Sequence, residues 1–100
     1  EKGNKYFLEL MKKISAQMVN IFLDFNAVII NLEMVSPLER KELTENIEYQ
    51  IRQFQKVVLQ LKEERTDIPL TGKTILKQQV LLSEALNKWI ENFRELYLEE

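Results

Sequence analysis

The sequence predicts an all-α fold: an elongated, antiparallel, up-down-up three-helix bundle with long helices. Three observations lead there. Apolar residues recur at helical spacing over three stretches of more than twenty residues each. Gly and Pro occur only twice each, so a turn-rich β fold has little to turn on. The two places where the pattern stops, Ser36-Pro37 and residues 66–74, both carry recognised helix-boundary chemistry.

The first helix is expected from about Lys5 to Val35. Phe7, Met11, Ile14, Met18, Ile21, Phe25, Val28, Leu32 and Val35 keep an unbroken 4-3-4-3 spacing, which lays one apolar seam along a helix. Behind that seam, from about residue 18, stands a second apolar set: Val19, Leu23, Ile30 and Met34, with Ala27 between. A helix packed on one side needs a single stripe. The second face therefore predicts contact with a partner, or with a segment outside these residues, and Val19, Leu23, Ile30 and Met34 are the candidate partner-binding residues.

The boundary at Ser36 has two functions. Pro37 disfavours the helical conformation at the residue before it. Ser36 is also a good N-cap, Pro37 suits the first helical position, and Glu39 completes a Ser-x-x-Glu capping box. A second helix is expected from Pro37 to about Arg65. Its seam is Ile47, Ile51, Phe54, Val58 and Leu61, flanked by Leu43 and Val57. On its outer side Lys41 and Glu45, and Glu48 and Arg52, are four apart and positioned to pair.

Residues 66–74 hold Asp67, Pro69 and Gly72 and read as the one real loop, with Ile68 and Leu70 tucked under the bundle end. The third helix is expected from about Lys73 to Leu98. Its seam is Ile75, Leu82, Leu86, Trp89, Phe93 and Leu96, with Gln79 interrupting it. At 1.5 Å rise per residue such helices are roughly 42–47 Å long, and short connections make neighbours antiparallel. The expected core is Met18, Ile21, Phe25, Val28, Leu32, Ile47, Ile51, Phe54, Val58, Leu61, Leu82, Leu86, Trp89 and Phe93.

Composition bounds the function. One hundred residues, 45% hydrophobic and 30% charged, suit a single globular domain spanning residues 1–100. Because the chain starts at Glu1, it is expected to be a fragment of a longer protein. A net charge of −2 with interleaved signs gives no basic face for nucleic acid. Absence of His and Cys removes the usual zinc ligands, haem ligation through His, thiol nucleophiles and imidazole bases. No cofactor and no metal are expected, and a cytoplasmic location fits the lack of Cys. The densest apolar stretch, Met18 to Val35, is broken by Asn20, Asp24, Asn26, Asn31 and Glu33, which argues against a membrane span.

The motifs that hint at chemistry are weak. Gly72-Lys73-Thr74 ends like a phosphate-binding loop, yet Asp67 stands where the pattern needs its first Gly, and no strand pattern leads in. Asp24 lies among amides, without a base to work with. The acidic pairs Glu63–Glu64 and Glu99–Glu100 read as solvated helix ends. Trp89, Phe93 and Tyr97 form an aromatic stripe that reads as packing, because a base-stacking platform would interleave Arg or Lys. The expectation is a non-enzymatic protein–protein interaction or assembly module. It would pack an apolar helix face against a helical partner or a second copy (homo-oligomer). The alternatives are a secretion-type chaperone sheltering a partner helix, which uses the same groove physics, and a helical domain associating with a membrane surface, for which Lys2, Lys5, Lys12 and Lys13 supply charge only at the N-terminal end.

Overall fold

The structure is a computed structural model and describes residues 2–97. It is all-α, 81% helical, with no strand among the described residues. In chain order it has α1 (Lys2–Ser15), α2 (Asn26–Ile30), a single 3-10 turn (Leu32–Met34), α3 (Pro37–Glu64) and α4 (Leu70–Tyr97). Two of the three expected helices are present nearly as read. α4 begins three residues early; its expected end at Leu98, and the Glu99–Glu100 pair, lie outside the described residues.

The first helix departs from expectation. It is not continuous from Lys5 to Val35, but stops at Ser15 and resumes as one short turn at Asn26. The local chemistry explains the stop. The Ser15 hydroxyl donates to the Lys12 carbonyl at 2.8 Å, competing with the backbone. The Ala16 N–H splits between Lys12 and Lys13 carbonyls, and the Gln17 N–H tightens onto Ile14. Beyond lie Val19, Asn20, Ile21, Phe22, Asp24 and Phe25, all poor helix formers. A helix of this propensity persists when tertiary packing covers its apolar face, and residues 3–22 are all exposed. Met18 is accordingly 91% and Ile21 61% exposed, so neither belongs to the core.

α3 and α4 form an antiparallel hairpin and make the principal helix–helix contact. Two cross-links fix the register. Arg94 Nη1 donates to both carboxylate oxygens of Glu48 at 2.9 Å. Seven residues further along α3 and seven back along α4, Asn87 Nδ2 donates to Gln55 Oε1 at 2.8 Å. Arg52 approaches Glu48 from the next turn at 3.4 Å, whereas Lys41 and Glu45 form no ion pair. Buried Ile47, Ile51, Val58, Val80 and Ile90 fill the space between the helices, with Thr44 and Ser83 fully buried beside them. The two hydroxyls are satisfied within their own helices, Thr44 by the Arg40 carbonyl and Ser83 by the Val80 carbonyl.

This register moves the seam of α4. The buried line runs through Val80, Ser83 and Ile90, not through Leu82, Leu86, Trp89 and Phe93, which are half-buried on its flank. Phe54 and Leu61 stand likewise on the flank of α3. Polar residues at the helix–helix seam are partnered across it (Glu48 with Arg94, Gln55 with Asn87) or within their own helix (Thr44, Ser83), so apolar periodicity pointed instead to the stripe that faces a third layer.

That third layer is only partly built. Ser36 caps α3, its Oγ accepting from the Glu39 N–H at 3.2 Å, with Pro37 in the first turn. The chain before it is clamped by Arg40. Its Nε donates to the carbonyls of Leu32 (2.9 Å) and Val35 (3.1 Å), and its Nη2 to that of Glu33 (3.2 Å). Leu32 is thereby buried to 1% exposure. α2 lays Phe25, Val28 and Ile29 over Ile47, Ile51 and Ile90, beside Leu86, Trp89 and Phe93. Phe25, Trp89, Phe93 and Tyr97 stack in one column, with ring centroids 5.2–5.8 Å apart.

At the opposite end Ile68 packs on Gly72. A Cβ at Gly72 would stand 3.1 Å from the Ile68 side chain, so the glycine allows the loop to lie close on α4. Leu70 is exposed, not tucked under the bundle end as expected.

Candidate functional site

The candidate residues come from the segment that failed to form a continuous helix. Val19 lies in the irregular stretch after α1, Leu23 just before α2, Ile30 at the end of α2 and Met34 in the 3-10 turn. Val19, Ile30 and Met34 are 84%, 79% and 82% exposed. Leu23 is half-buried and lines a shallow cavity of about 360 Å³ with Phe22, Phe25 and Ile47. With the helix interrupted, the four no longer form one stripe.

A larger apolar surface emerges that the sequence reading assigned to the core. Every residue of α1 from Gly3 to Ser15 is exposed. Tyr6, Phe7, Leu8, Leu10, Met11 and Ile14 fall on one arc at the helical period. Lys5 and Lys12 border one edge of the arc and Lys13 the other. α1 carries four lysines against the single Glu9, while the rest of the chain is net acidic.

The hairpin has a matching deficit. α2 covers the third-layer stripe only where the N-terminal half of α3 meets the C-terminal half of α4. In the half nearer the loop, Phe54, Leu61 and Leu82 are half-buried and Val57 and Ile75 exposed. The continuous first helix expected from the sequence would have laid its Phe7–Met18 half along this strip.

Two whole-molecule quantities express the same deficit. A compact protein of 12.0 kDa exposes about 6,000 Å²; this chain exposes 8668 Å². Its radius of gyration is 18.8 Å, against about 13 Å for a compact 100-residue domain. The molecule measures 61 × 31 × 16 Å. Its thinnest dimension is little more than one helix diameter of about 10–12 Å.

Among the described residues, no cluster of His, Cys, Asp or Glu is arranged to hold a metal ion. None of the described helices is long and apolar enough to cross a membrane. Asp24 lines the shallow cavity beside Phe25, and Trp89 is stacked between Phe25 and Phe93. No protein-family model, curated protein or solved structure matches the chain.

Proposed function

We propose that the chain is a non-enzymatic assembly module whose third helical layer is supplied by a second copy of itself. The observation that carries this reading is the surplus of surface, about 2,700 Å² beyond a compact chain of this mass. Two such surpluses joined would fall in the range of obligate homodimer interfaces, about 2,000–5,000 Å² and above. Both halves of the contact are present in one chain. α1 offers an apolar arc with lysine edges, and the hairpin, whose acids and bases balance, offers an uncovered apolar strip. Exchange of an identical element between protomers is a low-cost route to such a dimer.

A membrane surface is the competing occupant, favoured by the lysines bordering the α1 arc. It would cover α1 but leave Phe54, Val57 and Ile75 as they are. The second-copy reading accounts for both surfaces.

The test is Met11→Lys together with Ile14→Glu, read by light scattering and by co-sedimentation with anionic vesicles. The dimer reading expects the wild type at twice the chain mass and the variant at the chain mass, with α3 and α4 still helical by circular dichroism. Wild-type monomers that sediment with vesicles would replace it by the membrane reading. A matching pair, Leu23→Lys with Ile30→Glu, asks whether the originally expected residues also lie in the contact. Loss of association with helicity retained places them there, and unchanged association removes them.

A further inference from the structure

The gap between α1 and α2 interrupts the helix but not its register. Leu32 lies against Arg40, whose Nε donates to the Leu32 carbonyl at 2.9 Å. Seven residues back from Leu32 and seven further along α3, Phe25 and Ile47 line one shallow cavity and belong to one apolar cluster. A seven-residue step shared in opposite directions is that of two antiparallel helices in contact. Continued by the same step, Met18 comes opposite Phe54 and Met11 opposite Leu61. Phe54 and Leu61 belong to the half-buried strip nearer the loop, while Met18 and Met11 are 91% and 51% exposed. Between them, Ile21 and Ile14 come opposite Ile51 and Val58.

The backbone between α1 and α2 is free to become helical. Ten residues, 16–25, separate the two. Neither Gly nor Pro occurs between Gly3 and Pro37, and no described residue has a positive φ. What keeps the segment irregular is local. The Ser15 hydroxyl takes the Lys12 carbonyl. Asn20 and Asp24 are residues whose side chains compete with the helix for backbone groups, and Val19, Ile21, Phe22 and Phe25 lose rotamer freedom in one. Residues 3–22 are all exposed, so packing does not offset these preferences in the chain as it stands.

We infer that residues 16–25 are a hinge that decides which hairpin α1 covers. As a helix, the hinge sets α1 in line with α2 and lays Met11, Ile14 and Met18 along the strip of the same chain. As an irregular segment, it holds α1 clear of that strip and leaves it to cover the strip of a second copy. The open state rests on the second-copy reading above. Both destinations offer α1 the same contacts, as in any exchange of an identical element, and so compete for it. Closure within one chain switches association off. The poor helix propensity of the hinge keeps the chain in the form that associates.

The test raises the helix propensity of the hinge and leaves the seam intact. Ser15, Asn20 and Asp24 stand off the Phe7–Val35 seam at the helical period, and Ala is the best helix former. Ser15→Ala, Asn20→Ala and Asp24→Ala together should add about ten residues of helix by circular dichroism. The same variant should run at the chain mass in light scattering, with a radius of gyration in X-ray scattering below 18.8 Å. Adding Met11→Lys with Ile14→Glu should undo the contraction. Asn20→Gly with Asp24→Gly should leave mass and helix content as in the wild type. An Ala variant that gains no helix, or gains it while staying at twice the chain mass, overturns the hinge. Wild-type protein at the chain mass overturns the second-copy reading alone. In that event the hinge stands if the Ala variant gains helix and contracts relative to the wild type, and falls if it does not.

Discussion

Glu48 is the residue on which the hairpin register turns. It is buried yet charged, and a buried carboxylate is tolerable only when answered. Arg94 answers it from across the interface and Arg52 from its own helix. Arg94→Ala would remove the inter-helix donor and leave the carboxylate with the more exposed Arg52. The expected loss is about 1.5–3 kcal/mol, the range for hydrogen bonds to charged groups, measured as a lower midpoint in urea denaturation. Ser36→Ala should cost about 0.5–2 kcal/mol through loss of the α3 cap. An unmoved midpoint in either variant would contradict the corresponding contact. Arg40 has a different role, because its three bonds hold the 32–35 backbone and hence α2 in place. Arg40→Ala should loosen α2 from the only tryptophan, Trp89, which stacks on Phe25. A red shift in tryptophan emission checks this; emission identical to wild type would mean that α2 is held by its apolar contacts alone.

At the scale of elements, the sequence was most legible where local and tertiary signals agree. The Ser36-Pro37 boundary combines a cap, a proline and a break in the pattern, and the structure places the start of α3 there. Both long helices carry apolar spacing from end to end and appear nearly at the expected limits. Periodicity was misleading where it stood alone. The seam from Phe7 to Val35 is regular, yet between Ser15 and Asn26 the backbone is not helical. Spacing reports where a helix would place its side chains, not whether the residues between favour one. The α4 seam was misplaced for the complementary reason. Ser83, Asn87 and Arg94 occupy the inter-helix face, and a search for apolar residues passes over them. The candidate partner residues inherited the first error, since their common face existed only on a continuous helix. The exposed arc of α1 was visible in the sequence from the outset, but as half of a supposed core seam. Amide hydrogen exchange separates these elements. Residues 2–25 should exchange far faster than the inner turns of α3 and α4 when the chain is dilute, and slow down on concentration as association covers them. Protection of α1 equal to that of α3 at every concentration would mean that α1 is packed within its own chain.

At the scale of the molecule, the governing fact is that one layer of two helices cannot enclose a core. Stable domains stack at least two layers around a shared interior, and here the second layer is a short helix and one 3-10 turn at one end. The rest of the apolar stripe, and all of α1, face outward. The proposed second copy completes the layer with an element the chain already carries. Sedimentation equilibrium of the intact chain over a wide dilution series tests this most directly. The account predicts a species of twice the 12.0 kDa chain mass, dissociating on dilution with loss of helix signal from α1. A single species at the chain mass across the series, with helix content unchanged, would contradict it.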